Sequence, residues 1–188
     1  ASPVASSLRF EGLLVDIETT RRANNSLRRR IQAARFPIAA TIEDLDLSAR
    51  RGLNRGQVLQ LAQSEWVDRH LNLMILGATG AGKTYLASAL GRAACQAGCK
   101  VRYERTSRLL QSLEMAHADG SYPQLLRSLA RIQLLIFDDW LRDPLSRSQA
   151  RDLLDILDDR YGRCATMVVT QVPVADWHSR IPDPTPNP

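Results

Sequence analysis

The residues best suited to chemistry stand eight in a row, Gly77-Ala78-Thr79-Gly80-Ala81-Gly82-Lys83-Thr84, in the spacing G-x-x-x-x-G-K-T. Glycines let a backbone aim its N–H groups at phosphate oxygens in conformations closed to other residues, and a helix starting at the lysine adds the positive end of its dipole. In that arrangement Lys83 is expected to reach the terminal phosphates and Thr84 to place its hydroxyl on a magnesium ion. Lys83 and Lys100 are the only lysines among 25 basic residues, so composition alone does not account for a lysine here. The expected ligands are ATP and Mg2+, with Gly77, Ala78, Thr79, Gly80, Ala81, Gly82, Lys83, Thr84 and Tyr85 around the nucleotide.

A second element, Leu134-Leu135-Ile136-Phe137-Asp138-Asp139, reads as a buried strand ending in two acids. Beside a triphosphate, Asp138 would join Thr84 in holding the metal, and Asp139 would orient or polarise the attacking water. By itself such a pair is also what a solvated strand end looks like. A third strand, Met167-Val168-Val169, runs out at Thr170-Gln171. Thr170 is the candidate to sense the terminal phosphate or the water; the alternative is a hydroxyl satisfied by nearby backbone. The expected catalytic set is therefore Lys83, Asp139 and Thr170, and the metal set Thr84 and Asp138.

These residues need a sheet to position them. Strands are predicted over 72–76, 100–104, 133–137 and 165–170, and helices over 83–96, 106–116, 122–130 and 146–161. Strands alternating with helical crossovers imply an α/β fold, a parallel sheet covered on both faces. Upstream, apolar residues recur at steps of three and four from Leu8 to Phe36, which predicts a helix or a helical pair, with a break near Asn24-Asn25 and a stop at Pro37. A connector follows over 41–68, with a turn at Arg50-Arg51-Gly52-Leu53-Asn54 and a helix over 55–67. Residues 1–68 are thus expected to form a helical region and connector, and 69–188 the nucleotide-binding core.

With 188 residues, 44% hydrophobic and 24% charged, one well-buried core is the expectation. No apolar run approaches the roughly 20 residues that span a bilayer, so no membrane partner and a cytoplasmic location are expected. Cys95, Cys99 and Cys164 lack metal-ligand spacing and are expected to be reduced thiols, and His70, His117 and His178 show no partner spacing. The net charge is +5. Arg21, Arg22, Arg28, Arg29, Arg30 and Arg35 crowd one stretch without an acid, as a helix facing duplex DNA would; a solvated or subunit-facing helix is the plainer alternative.

Taken together the chain resembles the IstB-like helper ATPases of insertion-sequence transposition, of the AAA+ class and close to the DnaC-type helicase loaders. Beside the glycine-rich loop, the resemblance rests on Thr41-Ile42-Glu43-Asp44-Leu45-Asp46, Arg51-Gly52-Leu53, Asn72 to Gly77, Phe137-Asp138-Asp139-Trp140, Asp159-Arg160-Tyr161-Gly162, and Thr170-Gln171-Val172-Pro173 through Trp177-His178. It implies a P-loop NTPase of AAA+ type, a three-layer sandwich preceded by a helical region. It also implies a homo-oligomer that assembles on duplex DNA with ATP and recruits or activates the transposase of the same element. Two departures stand out. Leu141 follows Trp140 where relatives usually carry glycine, so a different loop is expected there. Relatives usually continue beyond an Asp-Pro-Thr like Asp183 to Thr185 into an arginine-bearing helix, a further strand and a lid, whereas the residues here run to Pro188. The expectation is a core without that strand and lid, its P-loop strand on a sheet edge, and slow hydrolysis. Three alternatives stay open: a helicase loader, a DNA-binding module that uses ATP as a switch with little hydrolysis, and a small-molecule kinase.

Overall fold

A computed structural model describes residues 3–46 and 53–182, with side chains described from residue 19 onward. Four short strands pair in parallel: β1 (Leu73–Leu76), β2 (Val101–Arg105), β3 (Leu134–Asp138) and β4 (Ala165–Thr170), in the order β1-β4-β3-β2. All five residues of β3 are buried, because helices cover both faces of the sheet. The register sets Leu76 beside Thr170 and Arg105 beside Asp138. The carboxyl ends of the strands therefore lie side by side, where open α/β sheets bind ligands. The order also places β4 between the loop-bearing and acid-bearing strands, and it leaves β1 at an edge with Met74 and Leu76 exposed.

One face of the sheet meets α4 (Lys83–Gln96), α2 (Arg55–Ala62), α3 (Glu65–Asp68) and the end of α1 (Pro3–Ala34). The other meets α5 (Thr106–Asp119), α6 (Tyr122–Ala130) and α7 (Arg147–Arg160). Ala34, Val58, Trp66 and Val67 share a buried cluster with Leu90, Ile136 and Met167. Described residues between Leu27 and Val67 are thus built into the core of the sheet.

Two details differ from expectation. Asn24 and Asn25 lie within the continuous α1; an asparagine inside a helix costs only a few tenths of a kcal/mol, up to about 0.7, too little to break it. The helix predicted over 55–67 is split at Ser64, whose φ is 64°. There the Trp66 indole N–H donates to the Leu61 carbonyl at 3.0 Å, turning Trp66 and Val67 into the core. Of the predicted turn, Arg50 to Gly52 lie outside the described residues, as do Asp183 to Pro188.

Several polar groups act as ties. His117 Nε2 lies 2.9 Å from Asp152 Oδ1, joining α5 to α7, although its sequence spacing suggested no partner. Cys95 and Cys99 are buried free thiols, and burial pushes Cys95 up to about 11, so it stays protonated at neutral pH. Arg160, 1% exposed, donates to Leu129 O at 2.7 Å, to Ile132 O at 2.8 Å, to Thr166 Oγ1 at 3.2 Å and to Ala165 O. Burial lowers its pKa to about 10, so it remains charged at neutral pH. Arg160→Met would fill the space and leave these acceptors bare, each worth about 1–3 kcal/mol. Urea denaturation should show a loss of about 3 kcal/mol or more; a loss below about 1 kcal/mol would contradict this role.

Candidate functional site

The glycine-rich loop leaves β1 with Gly77 N–H donating to Thr170 O at 3.3 Å. Gly80 and Gly82 sit at φ 79° and 85°, angles that a side chain would strain. A Cβ at Gly80 would touch nothing within 4 Å, so the backbone angle alone calls for glycine there. Gly82 caps α4 without a side-chain hydrogen bond, so the positive end of that helix, at Lys83, Thr84 and the half-buried Tyr85, has no capping side chain of its own. Lys83 Nζ folds back over the loop and donates to Ala78 O at 2.8 Å. The ammonium thus lies against the backbone of the loop.

Thr84 Oγ1 donates to Asp138 Oδ2 at 3.0 Å, so the helix start and the strand end meet directly. Asp138, 3% exposed, is held from several sides. Its Oδ1 accepts the Asp139 N–H at 2.9 Å, its Oδ2 also accepts the Tyr103 hydroxyl, and its carbonyl accepts the Thr106 hydroxyl at 2.9 Å. Burial, then the bond to Asp138 and its negative charge, push the Tyr103 phenol well above its ordinary range, so it acts as a neutral donor. Nothing in the sequence pattern points to Tyr103; only the pairing of β2 with β3 brings it to the acid.

One hydroxyl and one buried carboxylate suit Mg2+, which keeps several waters and takes phosphate oxygens instead of a full protein cage. Among the described residues no group of three or more His, Cys, Asp or Glu could hold a metal ion.

Asp139 sits at φ 55°, with its carboxylate 3.4 Å from Arg142 Nη1 and 3.8 Å from Arg105 Nε. It borders a cavity of about 210 Å³ that is also lined by Thr106, Leu141, Arg142 and Gln149. Leu141, the departure noted after Trp140, has a φ of 54° and is buried.

Thr170, expected to sense the phosphate or the water, is instead 1% exposed. Its hydroxyl donates to Trp140 O at 2.7 Å and accepts Val172 N–H at 3.0 Å, so both of its roles are taken by backbone. The exposed neighbour Gln171 is the one that meets the loop, accepting the Thr79 hydroxyl on Oε1. Side chains alternate along a strand, and that period was the available signal that only one of the two could face the loop.

Among the arginines, Arg21, Arg22, Arg28 and Arg29 lie on the exposed side of α1, and Arg35 is exposed at φ 59°, where the helix ends. Arg30 is half-buried; its Nε donates to Cys95 O at 2.9 Å and its Nη1 to Ser26 Oγ at 2.8 Å. These bonds make Arg30 a tie between α1 and α4 instead of an outward-facing contact. Together with Arg29, Lys100 and Arg102 it also lines a basic cavity of about 360 Å³.

The two strand-end residues are expected to separate cleanly on substitution. Thr170→Val should lower stability by about 1–2 kcal/mol, since it leaves buried backbone groups unpaired. Gln171→Ala should leave the melting temperature in place and change nucleotide affinity several-fold. Thermal melts with fluorescence titration of a labelled nucleotide would check both, and the reverse pattern would restore Thr170 as the sensing residue.

With the geometry in place, comparison with known proteins gives a consistent picture. Residues 1–186 match the model of a family described as IstB-like ATP binding protein. The chain is 43% identical over 174 residues to the insertion sequence ATP-binding protein y4pL of Sinorhizobium fredii, covering 93% of this chain and 71% of the relative. It is 40% identical over 175 residues to the ATP-binding protein of insertion sequence IS1162 of Pseudomonas fluorescens, covering 91% of this chain and 76% of the relative. Among solved structures it is similar to the DnaC helicase loader, at TM-score 0.66 and 22% identity over 76% of this chain and 86% of that one. It is also similar to AMPPCP-bound DnaA from Aquifex aeolicus, at TM-score 0.64 and 18% identity over 73% of this chain and 43% of that one. At these identities the structural likeness concerns the fold: an α/β P-loop domain of AAA+ type.

Proposed function

Because this chain belongs to the IstB-like ATP-binding proteins of insertion sequences, we propose that it is an ATP-hydrolysing helper of transposition. In this reading it assembles as an oligomer on duplex DNA and recruits or activates the transposase of its element. The observation that carries the nucleotide half is the 3.0 Å bond from Thr84 to Asp138 beneath an uncapped helix start. Gly77 to Tyr85 would wrap the phosphates, with Lys83 exchanging the Ala78 carbonyl for a phosphate oxygen. Thr84 and Asp138 would hold Mg2+. When bound, the metal supplies positive charge to phosphate oxygens as the bond to the ADP oxygen breaks.

Asp139 is the candidate to orient the water that adds to the γ-phosphorus, and its pairing with Arg105 and Arg142 bears on how readily it does so. Both guanidinium groups lie on its Oδ2, at 3.8 Å and 3.4 Å, and compete with water for that oxygen. That observation favours a second reading for the resting chain, an ATP-switched DNA-binding module with little hydrolysis until a neighbour or DNA rearranges the pair.

The DNA half rests on α1, with Arg21, Arg22, Arg28, Arg29 and Arg35 on its exposed side and end. We assign residues 1–68 to a helical region and connector whose exposed side carries the DNA contact, and 69–188 to the ATPase core. The insertion-sequence setting of the relatives favours a transposase as protein partner over a replicative helicase. Across the described residues no helix is long and apolar enough to cross a membrane.

Calorimetric titration with Mg-ATP should show binding that Lys83→Ala abolishes, and labelled ATP should release phosphate faster when duplex DNA is added. Unchanged affinity in the variant would refute the site. Phosphate passed to a small acceptor would favour a kinase instead. Replacing Arg28 and Arg29 by Ala should weaken DNA binding and reduce the slope of log affinity against log salt by about one for each lost phosphate contact. An unaltered slope would move the DNA surface elsewhere.

A further inference from the structure

Tyr103 is 4% exposed on β2, and its hydroxyl bonds the same Asp138 oxygen that Thr84 holds. A phenylalanine would fill this place equally well, since burying a hydroxyl gains nothing unless it finds a partner. The partner it has found is the candidate metal-holding carboxylate. With Thr84 and Tyr103 on Oδ2 and the Asp139 N–H on Oδ1, any rotation of the carboxylate would disturb all three bonds.

The opposite side of Tyr103 faces Phe36, which meets it edge-on with ring centroids 6.3 Å apart and planes at 71°. Phe36 stands two residues beyond the end of α1 and rests on α4, the helix that begins with Lys83 and Thr84. A Cβ at Gly91 would lie 2.6 Å from Phe36 Cε1 and 2.9 Å from Ile136 Cδ1, so the glycine is what allows the ring to sit there. The Arg30 bond to Cys95 O ties α1 to the far end of the same helix. One ring therefore touches the helix of the glycine-rich loop and the tyrosine that holds Asp138, and it belongs to the chain leaving the arginine-rich helix.

We propose that Tyr103 is a positioning residue for the Asp138 carboxylate, and that Phe36 is the contact through which the seating of α1 sets that position. The inference rests on the nucleotide reading above and extends it: the metal site would respond to how α1 is held. A hydrogen bond to a charged group contributes about 1.5–3 kcal/mol, and about 1.4 kcal/mol is tenfold in an equilibrium constant.

The test measures the affinity of a fluorescent ATP analogue for the full chain across a magnesium titration, starting from EDTA, with melting curves for every variant. Tyr103→Phe should leave the metal-free affinity within about twofold and raise the magnesium concentration at half-effect about tenfold. Phe36→Leu and Gly91→Ala, which disturb the ring from two sides, should shift it the same way by smaller factors. Either one combined with Tyr103→Phe should add nothing further, as expected for residues acting through one contact. A Tyr103→Phe protein with wild-type magnesium dependence, or with equal loss in EDTA and in magnesium, would overturn the positioning role. Factors that multiply independently in the double variants would overturn the part played by Phe36. Wild-type protein that binds no analogue under either condition would instead remove the nucleotide reading, and this inference with it.

Discussion

A single hydrogen bond, Thr84 Oγ1 to Asp138 Oδ2 at 3.0 Å, joins the two parts of the chain that could share one metal-nucleotide complex. The bond spans 54 residues and depends on most of the fold. β4 has to lie between β1 and β3, and α4 has to cross the sheet so that its first turn reaches the end of β3. Most of the buried residues of α4 are small, Ala87, Ser88, Ala89, Gly91, Ala93, Ala94 and Cys95, which lets the helix lie close to the sheet around Leu86 and Leu90. Bulkier residues there would lift the helix and part the hydroxyl from the carboxylate.

Around that bond the two acids stand in different surroundings. Asp138 is buried and bonded on both oxygens, whereas Asp139 is partly open between Arg105 and Arg142. Asp139 and Leu141 both hold left-handed backbone angles, an arrangement that costs about 1–2 kcal/mol for each such residue. Neighbouring contacts hold the loop in place. Trp140 N–H donates to Val169 O at 2.9 Å, the Trp140 and Trp177 rings meet with centroids 6.1 Å apart, and Arg180 on α8 (Trp177–Arg180) donates to Arg142 O at 2.7 Å. Trp177, one of the residues that carried the family resemblance, thus has a structural use, bracing the loop that carries the second acid.

The parts legible in the sequence were those where local pattern and chemistry coincide. The spacing from Gly77 to Thr84 carried the loop, the switch from apolar run to acids carried β3, and α4, α5 and α6 start at the expected residues 83, 106 and 122. What escaped notice depended on contacts between distant segments. Tyr103 looks like an ordinary inward strand residue until β2 pairs with β3. Thr170 and Gln171 are both polar at one strand end, and only the fold decides which is buried under Trp140 and which faces Thr79. Arg30 is indistinguishable from Arg28 and Arg29 by composition, yet it is turned inward onto Cys95. The family resemblance read from the motifs agrees with the match over residues 1–186.

The most direct test of the central claim is a crystal structure of the protein with Mg2+ and a non-hydrolysable ATP analogue. The account predicts the metal contacting the Thr84 hydroxyl and a phosphate oxygen, with the Asp138 carboxylate in its coordination shell or one water away, and Lys83 moved off Ala78 onto the phosphates. A triphosphate bound away from the Gly77–Thr84 loop, or a metal held without Thr84 and Asp138, would contradict it.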